Sequence, residues 1–213
     1  NIIVSASNIQ GEGEHKIYQY IRDNSDYHHN TKTVIYGLDA DLIMLTLNHL
    51  HIAPNMYLFR ETPFFIKNID NTLKPNNNYL MDIPLLADIL SLELNNNVKL
   101  NRIQSYNKIY DYIFLCFFLG NDFLPHFPAI NIRTNGIQRI INAYLSQVGK
   151  FNNNIINNSK ISWKFLSKVI KFLSIHELEY IKDEYKIRKK WKKTLRYNSH
   201  KLEEQLNQIP LKD

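Results

Sequence analysis

The sequence predicts an α/β fold: a mainly parallel sheet with flanking helices, followed by a helical extension. Three observations predict it. Strand-like apolar runs alternate with helix-patterned runs in the first half of the chain. Glycine-centred breaks at Gly11–Gly13 and at Gly37 each separate a strand-like run from a helical one. Beyond Ser159 glycine disappears and helical spacing takes over. The 213 residues are 44% hydrophobic and 12% aromatic, enough for one globular domain with an appendage. Residues 1–150 are expected to form the α/β unit and residues 151–213 a basic helical extension of the same region.

The elements follow in order. Ile2–Ser5 is expected as a short buried strand. Gln10-Gly11-Glu12-Gly13-Glu14 is a turn that opens a helix, because Ile17, Tyr18, Tyr20 and Ile21 follow at helical spacing; the helix ends near Arg22. Asp23–Lys32 is polar and reads as a loop. Thr33–Tyr36 is a β-branched and aromatic strand, broken by Gly37–Asp41, and Leu42–Leu50 is the next helix. Met56–Phe59 is the next apolar stretch. Phe64–Tyr79 reads as a loop with an edge strand, and Ile83–Leu94 as an amphipathic helix. The apolar run Ile109–Leu119 fits a buried strand or a buried helix, since periodicity alone does not separate them. Pro125 and Pro128 punctuate a loop, and Gly136–Leu145 is another helix. Asparagine clusters at 76–78, 95–97, 152–154 and 157–158 read as loop expansions.

Composition narrows the function classes. The net charge of +6 suits a polyanionic partner without naming one. Lys182–Lys201 concentrates that excess, with nine basic side chains against Asp183 and Glu184. The single cysteine, Cys116, excludes an internal disulfide framework, points to a reducing intracellular compartment, nuclear or cytoplasmic, and reads as a small buried apolar side chain. No cysteine–histidine cluster has zinc spacing. No run is long and apolar enough to span a membrane. The chain opens on Asn1-Ile2-Ile3-Val4 without Met, so it is expected to be part of a longer domain.

Three acidic groups share one placement. Glu12 and Glu14 stand where a helix begins, Asp39 and Asp41 just past a strand end, and Asp122 at the end of an apolar run. In open α/β sheets ligands bind beyond the carboxyl ends of the strands. Folding that gathers these five carboxylates there needs a cation, since two like charges 4 Å apart repel by about 4 kcal/mol at an effective dielectric of 20. All-oxygen donors select Mg²⁺ or Mn²⁺. Two such ions, about 3.5–4 Å apart, activate water and stabilise a leaving oxygen in phosphodiester hydrolysis. Taken singly, Glu-x-Glu is a common solvated pair, Asp39 or Asp41 a common helix cap, and Asp122 a common turn residue.

Three segments carry a resemblance: Gly11-Glu12-Gly13-Glu14-His15-Lys16, the stretch from Ile35 through Gly37-Leu38-Asp39-Ala40-Asp41 to Leu45, and the stretch from Phe114 through Leu119-Gly120-Asn121-Asp122-Phe123-Leu124-Pro125 to His126. In this order and rough spacing they resemble signature segments of the eukaryotic 5′→3′ exoribonucleases. Arg60-Glu61 is similar to the family's Leu-Arg-Glu segment. The resemblance spans residues 1–145, and more faintly 160–190. It implies an α/β domain related to PIN and flap-endonuclease nucleases, in which the run before Asp122 is a helix. It also implies that Glu12, Glu14, Asp39, Asp41 and Asp122 hold Mg²⁺ or Mn²⁺, as two ions, and act on RNA bearing a 5′-monophosphate.

The sequence departs from the family at Gln10, where Pro is usual, and at Thr134, where an acid is usual. The family's remaining two acids, its 5′-phosphate pocket and one wall of its base-stacking site lie upstream of Asn1. Lys16, Arg60 and His126 are further substrate candidates by position; each also has a structural reading, as a solvated lysine, an ion-paired arginine and a hydrogen-bonded histidine. Tyr18, Tyr20, Phe117 and Phe118 read as core rather than as stacking platforms, and Trp191 as packing beneath its helix. The expected function is metal-assisted 5′→3′ hydrolysis of RNA. Its rivals are a structure-specific flap or PIN-like endonuclease using the same acids, and a pseudo-nuclease that binds RNA without cutting it.

Overall fold

The structure is a computed structural model that describes residues 2–37, 39–60, 70–75, 77–121, 124–149 and 153–198. Its α/β part begins with helix α1 (Gly13–Asp23) and a short helix α2 (Ser25–His29). Strand β1 (Thr33–Tyr36), helix α3 (Asp41–His49) and strand β2 (Met56–Arg60) form a parallel crossover, with Thr33 opposite Met56 and Tyr36 opposite Phe59. Strand β3 (Tyr79–Asp82) adds an antiparallel edge to β2. The described sheet is therefore small and mixed, in the order β1-β2-β3, rather than mainly parallel. Ile2–Ser5 does not join it. That segment has no regular structure, and Ile2, Ile3 and Val4 are exposed.

Helix α4 (Ile83–Glu93) starts sharply because Asp82 caps it, its carboxylate accepting from Leu85 N at 2.9 Å, with Pro84 in the first turn. Helix α5 (Arg102–Cys116) opens on a capping box between Asn101 and Gln104, then tightens into a 3₁₀ turn at Phe117–Leu119. The ambiguous apolar run is thus helix. It spans both hydrophobic cores. Ile109 packs into the first core with Tyr18, Leu42, Met56 and Ile83. Leu115 packs into the second with Ile140, Tyr144, Val148, Leu166 and Val169.

The second core is helical: α6 (Gly136–Gln147), α7 (Trp163–Ile175) and α8 (Glu177–Asn198), with a two-residue hairpin, β4 (Ile156–Asn157) and β5 (Lys160–Ile161), before α7. Cys116 is half-buried against this core, and burial pushes its thiol up to about 11, which suits a packing role.

Several local expectations differ from the structure. The polar stretch Asp23–Lys32 holds helix α2, because His28 is buried, edge-on to the rings of Tyr20 and Tyr27 and bonded to Thr33 Oγ1 at 2.8 Å. Tyr18 is core, but Tyr20 and Phe117 are exposed and Trp191 is partly so. The asparagine clusters do lie outside the long elements where described. Asn96, Asn97 and Asn158 adopt left-handed φ values of 53°, 61° and 47°, which asparagine tolerates better than most side chains.

One polar network inside the second core has no counterpart in the sequence reading. Lys108, Asp111 and Tyr144 are all fully buried. Asp111 accepts from Tyr144 OH at 2.7 Å, from Ile155 N at 2.9 Å and from Ile156 N at 2.6 Å. Lys108 Nζ donates to Asn153 O at 2.7 Å and to Tyr144 OH at 3.2 Å. The network fastens the chain after α6 onto α5. Three donors on one carboxylate, and a lysine reached through a phenol, offset the desolvation of two buried charges.

Candidate functional site

The acids are placed by one buried tyrosine. Tyr18 lies one turn after Glu14 on α1, so both share a face. Its hydroxyl donates to Leu42 O at 3.2 Å and stands 2.5 Å from Thr46 Oγ1, and its ring lies 4.6 Å from that of His49. The contact staples α1 to α3 near their starts and brings Glu14 beside Asp41, the residue before Leu42. Burial pushes the Tyr18 hydroxyl up to about 12, with Glu14 and Asp41 adding to the rise. Asp39 stands in the bend between β1 and α3. Because β1 and β2 are parallel, this bend lies beyond the carboxyl end of the sheet, where Gly37 N donates to Phe59 O at 3.2 Å.

Electrostatics report the same convergence. Glu14's carboxyl is raised above its ordinary value, first by burial and then by Asp41, Glu12 and Asp39. Four carboxylates thus share one locality at two helix N-termini, which favour negative charge. Glu12 precedes α1 without capping it, and faces His15 Nε2 at 3.6 Å in an exposed pair. Among the described residues, no three His, Cys, Asp or Glu side chains stand close enough to grip an ion as placed. The donor chemistry fits a hard cation: oxygen ligands only, with mutual repulsion that a cation would relieve.

The remaining candidates fall into place as follows. Asp122 and Glu61 lie outside the described residues. Lys16 Nζ donates to the carbonyl oxygens of Ala6, at 3.2 Å, and Ile9, so it holds the preceding loop. Arg60 ends β2, exposed, on the sheet edge that Asp39 follows. His126 has both ring nitrogens engaged. Its Nδ1 lies 2.7 Å from Phe127 O, which can only accept, so Nδ1 carries the hydrogen. Nε2 then accepts from Asn131 Nδ2 at 3.3 Å and from Arg188 Nη2 at 3.4 Å.

The loop around His126 is tightly built. Asn121 N donates to Leu124 O at 2.9 Å, Leu124 N donates to Asn121 Oδ1 at 2.7 Å, and the Phe118 and Phe127 rings stack at 5.1 Å. Gly120 has φ +84°, and a Cβ there would sit 2.7 Å from the His126 backbone nitrogen. Gly120→Ala is therefore expected to cost about 1–3 kcal/mol, read as a lower melting temperature; an unchanged melt would refute this account of the turn.

Sequence reading missed the charged group behind His126. Glu184, on α8, is 1% exposed, and neither carboxylate oxygen has a hydrogen-bond partner among the described residues. It is compensated by Arg139 Nη1 at 3.8 Å and Arg188 Nε at 3.9 Å. Burial pushes its carboxyl up, and Arg188 and Arg139 pull it down. Arg139 also donates to Ala129 O at 3.1 Å and lies over the Tyr180 ring at 4.2 Å. The Glu184–Arg188 spacing of four residues was visible as a helical pair, but its burial and its reach to residues 126–131 were not.

Comparison with known proteins identifies relatives of two stretches of the chain. The family model described as "XRN 5'-3' exonuclease N-terminus" matches residues 1–62, and that described as "Xrn1 helical domain" matches residues 102–210, just over half of the chain. A protein of Debaryomyces hansenii named 5'-3' exoribonuclease 2 is 31% identical over 200 residues, covering 84% of this chain and 20% of its own length. Proteins of the same name from Arabidopsis thaliana and Yarrowia lipolytica are 30% identical over 212 residues and 38% over 154, covering 83% and 67% of this chain and 20% and 14% of their own. The chain thus spans about a fifth or less of the length of these relatives. The first match takes in both stapled acidic segments and the second takes in α5 through α8, and on these two matches the chain belongs to the XRN 5'-3' exonuclease family.

Proposed function

We propose that the protein is a 5′→3′ exoribonuclease that hydrolyses RNA phosphodiesters from a 5′-monophosphate end, using two Mg²⁺ or Mn²⁺ ions. The observation that carries this reading is the gathering of Glu12, Glu14, Asp39 and Asp41 at two stapled helix N-termini beyond the sheet's carboxyl edge. The names of the relatives supply the direction and the RNA substrate. Glu14 and Asp41, on rigid helix starts, are the central ligands; Glu12 and Asp39, on the flanking turns, complete the set from either side. Asp122 joins them by its motif. When bound, such ions lower the pKa of an attacking water and stabilise the leaving 3′-oxygen. The carboxylates hold the ions, and their rigid backbone supports fix where the scissile phosphate lies.

The test is a nuclease assay on the full-length protein with RNA bearing a 5′-monophosphate or 5′-triphosphate, in Mg²⁺ or EDTA. Degradation of the monophosphate RNA alone, only with metal, is expected. Internal cutting whatever the 5′ end would replace the reading with a flap or PIN-like endonuclease. Binding without cutting would make the protein a pseudo-nuclease.

A further inference from the structure

We propose that Tyr18, Thr46, Arg22 and His49 are positioning residues for the metal site: two hydrogen-bonded contacts along the seam between α1 and α3 hold Glu14 and Asp41 together as a ligand pair. The proposal rests on the exoribonuclease reading, in which those two carboxylates are the central ligands.

The seam is a line of three contacts. Glu14, Tyr18 and Arg22 recur every fourth residue, so they share one face of α1. Asp41 and Leu42 at the start of α3, Thr46 beyond its middle and His49 at its end meet that face in the same order. At the middle contact, Tyr18 OH donates to Leu42 O at 3.2 Å and lies 2.5 Å from Thr46 Oγ1, which itself donates to Leu42 O at 2.7 Å. At the far contact, Arg22 Nη1 lies 2.7 Å from His49 Nε2. His49 Nδ1 lies 2.7 Å from Leu45 O, which only accepts, so Nδ1 carries the hydrogen and Nε2 accepts from the guanidinium. The near contact is of the opposite kind. There Glu14 meets Asp41, and burial and then Asp41 raise the Glu14 carboxyl.

Without a cation the near end of the seam repels, and the other two contacts oppose the repulsion. Tyr18 and Thr46 are 1% and 0% exposed. A phenylalanine and a valine would fill the same space with no polar atom to satisfy. What the hydroxyls add is direction. Apolar packing is non-directional, whereas a bond to the carbonyl of Leu42, the residue after Asp41, fixes where Glu14 stands along α3. Arg22 and His49, about 12 Å along α1 from Glu14, keep the far ends of the two helices together. An ion then meets carboxylates that are already placed, and a site assembled in advance binds more tightly than one the ion must assemble.

The test uses the full-length protein and two readouts: Mn²⁺ affinity without RNA, from the electron paramagnetic resonance of free Mn²⁺, and the Mn²⁺ dependence of cleavage of 5′-monophosphorylated RNA. Tyr18→Phe keeps the buried ring and is expected to weaken Mn²⁺ binding about 10-fold, the lower end of what losing a group behind a metal ligand costs. At saturating Mn²⁺ its kcat is expected to return to within about twofold of wild type, because the ion itself draws the carboxylates together. Tyr18→Phe/Thr46→Val is expected to bind no more weakly than Tyr18→Phe, since the two hydroxyls act through one contact. Arg22→Met is expected to weaken binding less than Tyr18→Phe. Ile21→Val, a core change on α1 away from the seam, is expected to lower the melting temperature and leave Mn²⁺ affinity unchanged. Equal weakening in Ile21→Val would overturn the proposal, since any loosening of α1 would then suffice. Additive losses in the double variant would overturn it too. A wild type that binds no Mn²⁺ sinks the metal-site reading and this proposal with it; a wild type that binds Mn²⁺ no better than Tyr18→Phe does sinks this proposal alone.

Discussion

Asp41→Asn in the full-length protein is expected to lower kcat for 5′-monophosphorylated RNA by about 10²–10³, the order lost when one electrostatic stabiliser is removed from an active site. The same variant should fold at least as well as the wild type without metal. Asp41 is the foremost charge raising Glu14, so removing it relieves repulsion at the start of α1 and α3. On the proposed reading the two effects have opposite signs, because carboxylates gathered to hold a cation repel one another without it. Millimolar Mn²⁺ is expected to raise the melting temperature of the wild type and to raise that of Asp41→Asn less. Asp39→Asn should behave alike. An Mn²⁺-induced shift that is equal in wild type and both variants would remove these carboxylates from the metal site, whatever the activity.

Asp111→Ala is expected to be the most destabilising single change in the helical core. It removes the acceptor of three hydrogen bonds and leaves Lys108 charged, fully buried and uncompensated. Breaking a buried pair by deleting one partner costs about 3–5 kcal/mol. For a chain of this size that lowers the melting temperature by roughly 6–20 °C. A melt within about 2 °C of wild type would show that the network contributes little.

The same residue has a pH signature. Burial pushes its carboxyl up to about 6 from an ordinary 3.8, against the pull of Tyr144, Ile156, Ile155 and Lys108. The folded state then holds the proton more tightly than the unfolded chain. Asp111's contribution is full below the ordinary carboxyl value and is lost as pH rises through about 6. Wild type should therefore lose melting temperature relative to Asp111→Asn across that window. A flat difference would mean that the carboxyl is not raised.

Much of the α/β half is legible residue by residue. Gly11–Glu14 opens α1, Thr33–Tyr36 is β1, and Gly37–Asp41 breaks into α3 as expected, because each signal is local: a glycine, a β-branched run, a helical period. The adjacency of Glu14 and Asp41 is not local. It follows from Tyr18 bonding across 24 residues to Leu42. Tyr18 itself reads as core from its spacing, whereas Tyr20, two residues on, looks the same in sequence and is exposed. The sheet also escapes a local reading. Strand β3 pairs antiparallel and Ile2–Ser5 stays outside, because strand pairing is made across the fold and not along the chain.

What the sequence by itself determined is most of the longer elements, the carboxylates before α1 and at the start of α3, and the family to which those segments belong. These are written in short stretches whose meaning does not depend on the rest of the chain. Only the tertiary structure decided where polar groups sink into the core. Lys108 and Asp111 look like solvated interruptions of an apolar helix, and Glu184 like one charge on a basic helical face. All three are buried because α5, α6 and α8 close over them, and burial is a property of packing that no local pattern carries. The same closure turned Arg188 from one member of a positive run into the residue that meets His126.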